Sequence, residues 1–106
     1  MASKAQLQAL LAQHIGADNG IRARDLAAQL DITERELRKM ISLLIIDDGA
    51  GIAGTPASGY FIPATPAELN DTVEFHKHRA LHELLKASRL SGIPMIELAG
   101  QLRLKG

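Results

Sequence analysis

The stretch DLAAQLDITERELRKMI, residues 25–41, holds two short helical patterns separated by a three-residue break. Leu26, Ala27 and Leu30 share one face of the first. Leu37, Met40, Ile41 and Leu44 recur at i, i+3, i+4 and i+7 in the second. Asp31-Ile32-Thr33 interrupts the periodicity, and Thr33 with Glu36 forms a capping-box pattern that starts a helix near Glu34. Two such helices are stable when Leu26, Ala27, Leu30, Ile32, Leu37 and Met40 seal one common core. Ala27 is the informative member, because a large side chain there would push the helices apart. Asp31 tolerates the left-handed backbone that a tight turn needs better than most residues do.

What builds the rest of that core is limited by composition. The 106 residues include two Phe, one Tyr and no Trp, so Leu, Ile and Ala must fill the interior, which suits helices. There is no cysteine, which excludes disulfides and thiolate chemistry. Twelve basic and twelve acidic side chains cancel, so binding to a polyanion must come from a local patch. The N-terminal apolar run is too short for a signal peptide or a membrane span, and the expected location is the bacterial cytoplasm or nucleoid.

Ser3 and Gln6 form a capping box ahead of Leu7, Leu10, Leu11 and Ile15, predicting a first helix over about residues 4–15. Ala17 to Gly20 reads as a turn and Ile21-Arg22 as a very short strand. Helices follow over 23–30 and 34–46, although Leu43 to Ile46 also fits a buried strand. Glycines at 49, 51, 54 and 59 surround Ile52-Ala53 and Tyr60-Phe61-Ile62, which predicts a hairpin with Thr55 to Ser58 at its tip. Thr65-Pro66-Ala67-Glu68 combines an N-cap Thr, a first-turn Pro and a capping-box Glu, opening a long helix to about Leu90. Ser91 to Pro94 breaks it, and Met95, Leu98, Ala99 and Leu102 mark a short last helix.

On a helical wheel centred on Leu37, Met40, Ile41 and Leu44 lie within about 60°, and Arg35, Arg38, Lys39 and Ser42 between about 100° and 200°. The cations therefore point away from the core. A helix of this width fits the DNA major groove, where Arg pairs with guanine O6 and N7. Ser42 and Thr33 can bond bases or phosphates. Glu34 can accept from cytosine N4 or simply favour the helix N-terminus. Arg22 and Arg24, at the start of the second helix, are phosphate-contact candidates.

The spacing of Leu26, Ala27, Leu30, Ile32, Leu37 and Met40 resembles the helix-turn-helix of bacterial and phage DNA-binding proteins, with Asp31 where that motif usually has Gly. Three helices and a hairpin over residues 4–63 resemble the winged helix-turn-helix family. Small phage and prophage winged-helix proteins, and the N-terminal domain of biotin-repressor-like regulators, are the most similar. GTPASGYFIPATPAEL strengthens the likeness, since such wings often end in Gly-Tyr and lead by a Thr-x-x-Glu cap into another helix. The resemblance implies duplex DNA binding in transcriptional regulation or phage replication. The implied fold is mainly α with a small β-hairpin. A DNA-binding domain would cover 1–63 and a helical extension 64–106. Wings of this family commonly carry Arg or Lys, whereas this tip offers only hydroxyls and N–H groups, with Thr55 and Ser58 as its contacts.

The extension is longer than a small core needs. Leu69, Val73, Ala80, Leu81, Leu84 and Leu85 form an apolar strip. Val73, Ala80, Leu81, Leu84 and Leu85, with Met95, Leu98 and Leu102, are the expected contacts with a second copy. A dimer would read two half-sites about one helical turn apart. His78 and His82 stand at i, i+4, a metal-ligand spacing, but no third ligand accompanies them. No nucleophile elbow or phosphate-binding glycine loop is present, so neither catalysis nor a cofactor is expected, and no small-molecule effector is evident. A protein-interaction module on the same scaffold is the alternative. Asp47 and Asp48 end a helix where its dipole disfavours them, which solvent or a partner must offset.

Overall fold

Leu7, Leu11, Leu26, Leu37 and Leu44 are the most completely buried large side chains, and they come from three helices that close one core. The computed structural model describes residues 2–102. These form α1 (Lys4–Leu11), a 3₁₀ turn (Ala17–Asn19), α2 (Ala23–Leu30), α3 (Glu34–Asp48), β1 (Ala53–Thr55), β2 (Gly59–Phe61), α4 (Pro66–Ser91) and α5 (Met95–Gln101). The architecture is mainly helical with one small antiparallel sheet, then a long helix and a short one. Contacts group the chain into two compact units, Met1–Thr72 and Val73–Gly106.

In the first unit, the break between α2 and α3 is a Schellman turn. Asp31 adopts φ 55° and ψ 47°. Ile32 N–H donates to the Ala27 carbonyl at 3.0 Å, and Asp31 N–H to that of Ala28 at 3.2 Å. Thr33 then caps α3 by accepting from Glu36 N–H at 3.1 Å. The expected reciprocal bond differs: the Glu36 carboxylate accepts from the Thr33 hydroxyl at 3.2 Å rather than from the Thr33 backbone N–H. Leu43 to Ile46 are helical, and α3 ends only at Gly49, which is left-handed.

The first helix is shorter than its periodicity predicts. It ends at Leu11, and Ile15 is 54% exposed. The chain leaves the helix because the backbone on either side of Ile15 is needed elsewhere. His14 carbonyl accepts from Ile62 N–H at 2.7 Å, and Gly16 N–H donates to the Ile62 carbonyl at 2.8 Å. Ile21 is strand-like, exchanging two 2.8 Å bonds with Tyr60, while Arg22 already caps α2. The β2 segment is thus held by β1 on one side, in the register Ala53↔Phe61, and by the α1–α2 connection on the other. That approach is close. A Cβ on Gly59, whose φ is +74°, would lie 2.6 Å from the Ile21 carbonyl oxygen.

The start of α4 belongs to the first unit. Thr65 Oγ1 accepts from Glu68 N–H at 3.2 Å, as the cap pattern predicts. The Glu68 carboxylate is directed mainly to donors other than Thr65 N–H. It accepts from Ala64 N–H at 2.7 Å and Ala17 N–H at 2.8 Å, tying α4 to the 3₁₀ turn. Those donors, that of Ala17 foremost, hold the carboxyl below its ordinary range. Buried Thr72 accepts from Gly54 N–H at 3.1 Å and fastens α4 to β1. These ties carry the first unit past Pro63 to Thr72.

In the second unit, Ser88 Oγ donates to the Ile93 carbonyl at 2.6 Å and left-handed Gly92 turns the chain into α5. Leu84, Met95 and Leu98 are half-buried within this unit. Val73, Ala80, Leu81, Leu85 and Leu102 remain exposed.

Two stability outcomes follow from these contacts. Gly59→Ala is expected to cost about 2 kcal/mol, a fall of roughly 10 °C in melting temperature. Glu68→Gln is expected to lower the melting temperature near neutrality. The native carboxyl is depressed, so its stabilisation is present above the unfolded value of about 4.5 and is lost as pH falls through the lower native one. Melting curves of both proteins should therefore converge well below the carboxylate range.

Candidate nucleic-acid interface

The α3 helix divides its residues sharply. Leu37, Ile41 and Leu44 are buried against α1 and α2, whereas Glu34, Arg35, Arg38, Lys39 and Ser42 are exposed. This is the arrangement that the wheel predicts, and packing enforces it: rolling the helix outward would expose three large apolar side chains, at about 1.5–3 kcal/mol each. The side chains of Arg35, Arg38 and Lys39 thus lie on an outer face fixed by the core beneath it.

Electrostatics differ among them. Arg38 pairs with Glu34 one turn earlier, at 3.5 Å, with both groups solvated. Arg24, in the first turn of α2, lies 3.8 Å from Asp25. Arg22, Arg35 and Lys39 make no ion pair among the described residues. Exposed pairs are worth about 0–1 kcal/mol, so Arg24 and Arg38 can exchange their partners for phosphates at small cost. Glu34 is engaged with Arg38, and Thr33 is occupied as a helix cap.

The hairpin tip is organised differently. The Thr55 and Ser58 hydroxyls lie 3.0 Å apart, Thr55 N–H donates to Ser58 Oγ at 3.0 Å, and Ser58 N–H to Thr55 Oγ1 at 3.2 Å. Both side chains are half-buried. Their hydrogen-bonding groups close the turn and leave little to present to a ligand.

Tyr60 was not among the residues that the sequence pattern singles out. Its backbone pairs with Ile21, just before Arg22, and its half-buried ring lies within the fields of Arg38 and Glu34. Burial pushes its phenol above the ordinary value, Arg38 pulls it down and Glu34 pushes it up. Its sequence signals are that it is the single Tyr and that it stands in the Gly-Tyr pair of the hairpin, neither of which points to α3.

Among the described residues no group of three or more His, Cys, Asp or Glu could hold a metal ion, and no helix is long and apolar enough to cross a membrane. No known protein family, curated protein or solved structure matches the chain.

With one Tyr and no Trp, phenolate absorbance reports this neighbourhood alone. Spectrophotometric titration is expected to show the Tyr60 midpoint moving further up in Arg38→Ala and down in Glu34→Gln.

Proposed function

We propose that this chain is a cytoplasmic DNA-binding protein of winged helix-turn-helix type. It reads duplex DNA through α3 as a homodimer, in transcriptional regulation or as a replication accessory of a phage or mobile element. One observation carries the reading: α3 holds Arg35, Arg38 and Lys39 outward while its opposite face is sealed into the three-helix core. The capped turn before α3 and the β1–β2 hairpin after it match the order of elements in that family. Arg22 and Arg24, at the start of α2, supply phosphate contacts, and the hairpin contributes little. The exposed Val73, Leu81 and Leu85 on α4, with Leu102 beyond α5, offer apolar surface to a second copy.

A second reading is a protein-interaction module on the same scaffold. The uncharged hairpin tip favours it, because Thr55 and Ser58 bond each other.

Fluorescence anisotropy with a labelled random-sequence duplex, titrated with salt, separates the two. Arg35→Ala/Lys39→Ala is expected to weaken binding and to reduce the slope of log K against log salt by about 2 per protomer. Its unfolding free energy should stay within about 0.5 kcal/mol of the parent's, since both residues are exposed. An unchanged slope removes α3 as the reading helix, and absence of binding at low salt favours the interaction module.

A further inference from the structure

The neutral total charge conceals a division. Residues 1–72 carry six Lys or Arg against nine Asp or Glu, and residues 73–106 carry six against three. The first unit is therefore net −3 and the second net +3.

Each charge excess is joined to exposed apolar surface. At the end of α3, Ile46 is 77% exposed and is followed by exposed Asp47 and Asp48. Asp48 has a solvated partner in Lys4 at 3.1 Å; Asp47 has no ion pair among the described residues. Both carboxylates face the negative end of the helix dipole, an arrangement that is unfavourable within one copy. On α4, His82, Lys86 and Arg89 surround an open depression together with Leu85 and Leu90. Lys86 has only a solvated partner, Glu83 at 3.2 Å, and Arg89 makes no ion pair among the described residues. Leu90 is 90% exposed.

We propose that the end of α3 in one copy docks in this depression on α4 of a second copy. Ile46 covers Leu85 and Leu90, and Asp47 and Asp48 meet Lys86 and Arg89. The contact rests on the two-copy part of the function proposed above and does not itself require that α3 bind DNA. In a two-fold dimer the contact would occur twice, once in each direction. A second copy suits this face better than duplex phosphates do, because its leucines gain nothing from a polyanion, whereas an isoleucine followed by two carboxylates meets leucines and cations together.

Charge exchange tests this by sedimentation velocity of the full chain at several concentrations and salt levels. The parent is expected to dimerise, and to do so less tightly as salt rises. Asp47→Lys/Asp48→Lys alone, and Lys86→Glu/Arg89→Glu alone, should each raise the dimer Kd by about 100-fold, because like charges then meet at both contacts. An equimolar mixture of the two variants should regain the dimer, since every contact in the mixed dimer again pairs opposite charges. The four residues are exposed, and lysines suit a helix C-terminus, so circular dichroism should stay unchanged in both variants. A parent that dimerises while neither variant loses the dimer overturns this contact and leaves dimerisation through the apolar strip standing. A parent that stays at 11.4 kDa throughout overturns both. If Lys86→Glu/Arg89→Glu weakens duplex binding without changing the mass, those cations serve phosphates and the contact is likewise overturned.

Discussion

The packing of α2 against α3 is the constraint on which the first unit depends. Ala27 is small enough to permit it, and its carbonyl receives Ile32 N–H in the Schellman turn, so one residue serves both packing and chain reversal. The left-handed Asp31 and the Thr33 cap then leave α3 a single way to lie, with Leu37, Ile41 and Leu44 inward. The cationic face follows from that packing. A larger side chain at 27 would disturb the outer face without touching any residue on it.

The hairpin depends on the helices in turn. Two three-residue strands are too short to persist alone in water. They persist here because β2 also bonds to Ile21 and, through Ile62, to His14 and Gly16, while Thr72 holds β1 from α4. Tyr60 shows the result: its backbone stands between Gly54 of β1 on one side and Ile21 on the other.

Most of this was legible where local chemistry decides. The α2–α3 pattern, the hairpin and the start of α4 rest on periodicity, turn glycines and caps that act within a few residues. Departures arise where a partner distant in sequence decides. Ile15 continues the helical spacing of Leu7 and Leu11, yet pairing of the flanking backbone with Ile62 ends the helix first. Glu68 has the position of a capping-box acid, but its carboxylate goes to Ala17, 51 residues away. Of the candidate site, the α3 cations were legible because helical geometry alone orients them. The commitment of Thr55 and Ser58 to each other, and the half-burial of Tyr60, depend on how the hairpin closes and folds back, which no local pattern specifies.

Charge along α3 links the two proposals. The helix carries Arg35, Arg38 and Lys39 near its start but Glu34, Glu36, Asp47 and Asp48 as well, so by itself it is not cationic. A net −3 unit repels a polyanion at long range, whatever its local face offers. Covering Asp47 and Asp48 with the cations of a second copy would remove the acidic end of this helix from the field that an approaching duplex meets. The cationic first turns would then dominate. On that arrangement the α4 cations contribute to DNA affinity without touching DNA, and an overall neutral chain presents two positive helices only once it has paired.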